Sequence, residues 1–314
     1  MKKLLPLVML LLVPLLVGGL FGWMMFIRPQ PSATLANQPP TVSGVPTLAA
    51  PAVVYFVPTP TLAVPPTEPP IATATGLPLS FQTPLPPTAT PTVALWLPLP
   101  PLATEWQGLI THGDRTLPFI ALTFDLCESL VAPAGFDSEI VRILNDSQTP
   151  ATFFVGGVWM VNHTTEILTL AYNPLFELGS HSWSHADFSK ISPAEMDDEI
   201  LQSQQTMWTM LGRQPVIFRL PYGTYNEETL DIIANHGLIT IQWDVVSGDP
   251  DPNISAEAMI PWVIQQVQPG SIIIMHANGR GWHTAEALPT IIQTLRDQGY
   301  TFVTISQLLG LPTN

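Results

Sequence analysis

The segment from Glu105 to Asn314 predicts a parallel α/β sheet or barrel, on three observations. Short runs rich in β-branched and aromatic residues, FIALTF, ATFFVGG, PVIFRL, LITIQWDV, SIIIMH and TFVTIS, recur between longer helical stretches. Such alternation is the pattern of parallel strands joined by helical crossovers. Several of the helical stretches close on a glycine, as in EETLDIIANHG and TAEALPTIIQTLRDQG, which suits the left-handed turn at a helix end. Polar residues able to do chemistry stand where apolar runs end: Asp125, the pair His181 and His185, Arg219, Asp249 and His276. In parallel α/β folds chemistry gathers at the C-terminal ends of strands.

The elements follow in chain order. Residues 1–28 open with Lys2 and Lys3, continue through an uncharged and mostly apolar stretch from Leu4 to Ile27, and close on Arg28. At about 1.5 Å per residue such a stretch is long enough to cross a hydrocarbon core of roughly 30 Å. It lacks the small-residue cleavage site expected directly behind a signal peptide's shorter apolar region. The expectation is a single-pass membrane anchor with the lysines on the cytoplasmic side and the remainder extracytoplasmic. Secretion after cleavage near Ala36 is the alternative.

Residues 29–104 carry 20 of the chain's 35 prolines and a single charge, Glu68. Proline removes backbone donors and favours extended geometry, so this window reads as a Pro/Thr-rich tether. Two apolar islands within it, VVYFV and VALWLPL, are suited to docking on the domain that follows. Residues 105–314, about 210 in number, suffice for one well-filled core. They hold 23 acids against 7 lysines and arginines, which argues against nucleic acid as a partner. The single cysteine excludes an internal disulfide.

Within that domain, the IALTF run ends on Asp125, and Glu128 follows three residues later. His181 and His185, four apart, reach one side together if their segment is a helix or tight turn. Arg219 at the end of PVIFR needs a carboxylate partner if buried, and Asp125 or Asp249 can supply it. His276 directly after SIIIM is a candidate acid or base, although a histidine there also serves as a backbone hydrogen-bond partner. Cys127 reads as a small buried hydrophobe rather than a nucleophile. His283 belongs to a helix start or a rim, and His112, His163 and His236 receive no role.

In order and spacing, TFDLCE, GSHSWSH, RLPYG, WDVVSGDPDP and SIIIMHANGRGWHTAEALPTIIQTLRDQGYTFVTISQLL resemble the polysaccharide deacetylases of the NodB-like group, carbohydrate esterase family 4. The resemblance spans 115–310 and implies a distorted (β/α) barrel with fewer than eight repeats. It implies hydrolysis of N- or O-acetyl groups on a polysaccharide, and the expected tethered, extracytoplasmic position makes an envelope glycan the leading substrate. By the same resemblance Asp125 matches the catalytic base, and His181 and His185 match two ligands of a divalent metal, usually zinc. Arg219 matches the residue that orients the base, Tyr222 the one whose backbone N–H faces the oxyanion, Asp249 a supporting acid and His276 the general acid.

Three positions depart from the family's spelling. Leu126 stands where TFDDGP has its metal-binding second Asp, Pro250 where a Trp is common, and Ala277 where an Asp follows the last histidine. Catalytic zinc typically has three protein ligands. Glu128, two residues past the missing Asp, is therefore the expected third ligand, directly or through a water; a helix cap or an ion pair at the mouth is its alternative role. A carbohydrate-binding protein without turnover is the alternative function.

Overall fold

The computed structural model describes residues 96–311. Nine strands, all paired in parallel, form one sheet: β1 (Leu109–Ile110), β2 (Phe119–Leu126), β3 (Ala151–Val155), β4 (Phe176–Ser180), β5 (Ile217–Phe218), β6 (Ile239–Ile241), β7 (Val245–Val246), β8 (Ile272–His276) and β9 (Thr301–Phe302). Their order is β1-β6-β5-β4-β3-β2-β8-β7, with β9 added at the start of β2. The sheet is thus an open, curled half-barrel whose ends, β1 and β7, are two-residue strands.

The helices are α1 (Ser138–Asp146), α2 (Gly157–Asn162), α3 (Thr164–Ala171), α4 (Pro193–Leu211), α5 (Glu227–Asn235), α6 (Ala256–Gln266), α7 (Thr284–Asp297) and α8 (Ile305–Leu309). Helix α4 shows why the sequence starts and stops where it does. Ser192 and Glu195 form a reciprocal capping box, Pro193 occupies the first turn, and Gly212 ends the helix in the left-handed conformation.

Strand β2 sets the geometry of everything that follows, because successive side chains of a strand point to opposite faces. Ile120, Leu122, Phe124 and Leu126 enter the large apolar core shared with α1, α6 and α7. Ala121 joins a second cluster inside the curl with Phe154, Ile217, Ile239, Ile241 and Ile272. Thr123 and Asp125 face that same interior, since one guanidinium, that of Arg219, bonds both. Near the strand starts the interior is closed by α8, whose Ile305 N–H donates to Thr152 Oγ1 at 3.0 Å. The polar ends of β2, β4, β5 and β8 are left around the opposite opening.

Three local expectations change. TFVTIS is a strand only over Thr301–Phe302, because Thr304 and Gln307 form a capping box that starts α8. FELGS, with a central acid and glycine, is strand β4, and α2 and α3 are additional short helices. The folded region also begins earlier than Glu105. Leu102 N–H donates to Ala234 O at 2.9 Å, and Leu99 and Leu102 pack against two separate apolar clusters.

The expected single-pass location is corrected: among the described residues no helix is long and apolar enough to cross a membrane. Residues 1–28 and most of 29–104, on which the anchor and tether were read, lie outside the described residues.

Candidate active site

The opening of the curl is a cavity of about 300 Å³ whose wall includes Asp125, Cys127, His181, His185, Tyr222 and His276. Asp125, the last inward residue of β2, is 3% exposed. Its Oδ1 accepts from Arg219 Nη1 at 2.8 Å, and its Oδ2 lies 3.6 Å from His181 Nε2. Arg219 is fully buried behind it, with Thr123 Oγ1 and the Gln242 carbonyl as further acceptors at 2.8 and 3.3 Å. The guanidinium lies 4.0 Å from the Phe154 ring centroid, and aromatic faces favour such a cation. Burial alone would raise the Asp125 carboxyl, but Arg219, with His181 and His276, overrides it and holds the group below the ordinary carboxylate range.

Across the cavity the order is reversed. His276, at the end of β8, faces the opening, and the fully buried Asp249 stands behind it. Asp249 Oδ1 pairs with His276 Nδ1 at 2.9 Å and accepts from Ser247 Oγ at 2.9 Å. Its Oδ2 accepts from His276 N–H at 2.7 Å and Thr284 Oγ1 at 2.8 Å. Burial pulls the imidazole's pKa down, yet the bond to Asp249 and the nearby negative charges leave it above the ordinary histidine value. Gly281 makes this packing feasible: a Cβ there would lie 2.2 Å from the His276 carbonyl oxygen.

The GSHSWSH segment is a tight turn rather than a helix. Ser182 and His185 both take positive φ, 63° and 60°. Glu199 of α4 holds the turn, its Oε2 accepting from Trp183 N–H at 2.9 Å and Ser184 N–H at 2.8 Å. The turn brings the two imidazole centroids to 5.0 Å. His181 Nδ1 is bonded to the Arg219 carbonyl at 2.9 Å, so it carries the proton and leaves the Nε2 lone pair facing the cavity. Burial lowers both histidines, His185 to about 3, toward the neutral form that binds cations.

Tyr222 sits in the Pro221–Gly223 turn at φ 59°, ψ −1°, with its ring 4.7 Å from that of His185. A non-glycine residue held there costs on the order of 1–3 kcal/mol and is found where surroundings over-determine the backbone.

Glu128 is not brought to this group. It has the same parity as Leu126 and turns away from the interior, its Oε1 accepting from Asn162 Nδ2 at 2.9 Å and its Oε2 lying 3.3 Å from His163 Nε2. The expected third-ligand position is instead approached by Cys127. Its Sγ and one ring nitrogen each of His181 and His185 lie within 4.8 Å of one another. These three residues fit a divalent cation by donor type and proximity. Burial pushes the Cys127 thiol up to about 12 in the absence of a cation. Thr123, Glu199, Ser247, Asn278 and Thr284 support the site and went unread in the sequence. His283, with φ 58°, caps α7 and pairs with Glu286 outside the cavity.

A family model described as polysaccharide deacetylase matches residues 112–241. The solved Xyl-CE4 domain of a multidomain xylanase, from the hindgut metagenome of Trinervitermes trinervoides, is 30% identical, and the match covers 60% of this chain and 88% of that one, with a TM-score of 0.53. The chain belongs to the polysaccharide deacetylase family. A solved peptidoglycan N-acetylglucosamine deacetylase, Bc1960, is similar at 26% identity over 66% of this chain and 95% of its own, with a TM-score of 0.61. The peptidoglycan-N-acetylglucosamine deacetylase PgdA of Listeria monocytogenes is 33% identical over 61% of this chain and 39% of its own length. The chain spans about half the length, or less, of several curated relatives it matches. Asp125, His181, His185 and His276, singled out in the sequence, converge on one cavity.

Proposed function

We propose that this polysaccharide deacetylase hydrolyses N-acetyl groups of an N-acetylglucosamine-containing glycan, with a divalent metal, zinc foremost, bound beside Asp125. The observation that carries the proposal is the pair of opposed ion pairs on one cavity. A carboxyl whose pKa Arg219 lowers faces an imidazole whose pKa Asp249 raises. Two titratable groups pushed apart in this way mark a base and an acid.

Asp125 takes the proton from the attacking water while Arg219 fixes its orientation. His276 donates the proton that lets the sugar amine leave, and Asp249 holds the ring in the tautomer and position that this requires. The Tyr222 N–H, aimed by its strained turn, serves the developing oxyanion. A cation, which His181 and His185 would hold, would supply Lewis acidity beside Asp125 and charge to offset the oxyanion. An amide fits better than an ester, because an amine is the poorer leaving group and has more use for a protonated His276.

The second reading is a glycan-binding protein without turnover. Leu126 in place of the family's carboxylate favours it, and the family includes pseudoenzymes. Acetate release by the full chain from peptidoglycan, chitin oligomers and acetylated xylan, before and after chelation and zinc return, separates the two. Chelator-sensitive release supports the deacetylase; binding without release at full metal load overturns it.

A further inference from the structure

The first motif has lost its usual metal-binding carboxylate, and β2 shows where a replacement can stand. Leu126 is fully buried with Ile120, Leu122 and Phe124 in the apolar core and offers no ligand atom to the histidines. Alternation returns the chain to the cavity one residue later, and that residue is the only cysteine of the 314. Glu128 turns away again to Asn162 and His163.

Cys127 is placed as ligands are placed. Its Sγ shares a 4.8 Å neighbourhood with nitrogens of His181 and His185. The buried Asn278, just beyond β8, donates through Nδ2 to the Cys127 carbonyl at 2.8 Å and to Sγ at 3.2 Å. An N–H donor on sulfur favours a thiolate and fixes its direction, as outer partners of metal ligands do. The carbonyl held on His181 Nδ1 does the same for the imidazole. A sulfur and two imidazoles form a set that selects zinc or cobalt over magnesium, calcium and manganese.

We propose that Cys127 is the third protein ligand, so that this deacetylase carries a Cys127–His181–His185 centre selective for thiophilic cations. The inference rests on the metal-dependent reading above and adds the identity of the ligand.

The test loads the full chain with cobalt(II) and with zinc. The expected result is one cation per chain and a near-ultraviolet thiolate-to-cobalt charge-transfer band. Cys127→Ser, checked for folding by its thermal melt, should abolish the band and weaken zinc binding by more than the 10–100-fold typical of losing an outer partner. Cys127→Asp should keep a cation but lose the band, with selectivity moving toward manganese. Glu128→Gln should change none of these.

A cobalt complex without the band overturns the proposal whether or not the serine variant folds. The two readings fail separately. A charge-transfer band with no acetate from any glycan leaves the centre and removes the deacetylase; chelator-sensitive acetate release without the band does the reverse.

Discussion

The two ion pairs of the cavity are built from the same kinds of parts, a cation and a carboxylate, yet they are threaded in opposite order. At the end of β2 the carboxylate of Asp125 faces the opening and the guanidinium of Arg219 is buried behind it. At the end of β8 the imidazole of His276 faces the opening and the carboxylate of Asp249 is buried behind it. Which partner is outermost decides which one meets substrate, and the inner partner sets its charge. In the proposed mechanism one side accepts protons and the other donates them, without any difference in the type of interaction.

The largest effect should come from neutralising the outer group on the acceptor side. Asp125→Asn keeps an acceptor for Arg219 but removes the base, and acetate release should fall by about 10²–10⁴, the usual scale for such a loss. Turnover within tenfold of wild type would break the assignment. Removing the inner group should act on stability instead. Arg219→Met leaves a buried carboxylate unpaired and should cost about 3–5 kcal/mol in urea unfolding; an unchanged midpoint would mean that Asp125 is protonated in the folded chain.

On the donor side, His276→Ala should slow amide substrates more than activated aryl acetates, since only the amine needs the proton. Equal losses on both would remove the acid role. Asp249→Asn sharpens the comparison through pH. The protonated imidazole is the active form, and its raised pKa keeps it present above the ordinary value, so activity is lost as pH rises through that raised pKa. Without the Asp249 charge the alkaline limb of kcat should move to lower pH; a limb that stays in place assigns it to another group. The smallest effect belongs to His283→Ala, outside both pairs, where stability should stay within about 0.5 kcal/mol and kinetics near wild type.

Much of this site was legible because strand ends carry chemistry. Asp125, Arg219 and His276 each stand at the end of an apolar run, and the sheet brings Asp125 and His276 to one opening with Arg219 buried behind Asp125. The proposed metal set was legible only in part. His181 and His185 announce themselves by spacing, but distance along the chain favoured Glu128 for the third position, and Cys127, proposed above, was not weighed as a ligand. Counting from Asp125 in steps of two leads to Cys127, whereas Leu126 and Glu128 fall on the other face. That signal was present in five letters, FDLCE. Glu199 and Asn278 gave no such sign, since their roles depend on contacts across 15 or more and across 151 residues. Strand β4 went unread because FELGS carries a glutamate and a glycine where strands usually alternate apolar residues.

The lead-in at Leu99–Leu102 bears on how this protein should be cut. Gly237 has room for no side chain because Leu99 Cβ and the Pro100 carbonyl would lie 2.6 and 2.5 Å from it, and Gln214 Nε2 reaches the Leu97 carbonyl at 2.6 Å. A fragment trimmed to Glu105 would strip this strap, leave the Ala234 carbonyl without the Leu102 N–H, and uncover apolar surface on two clusters. Recombinant production of the catalytic region therefore calls for a start upstream of Trp96, inside the proline-rich stretch, where composition alone would place the boundary several residues too late.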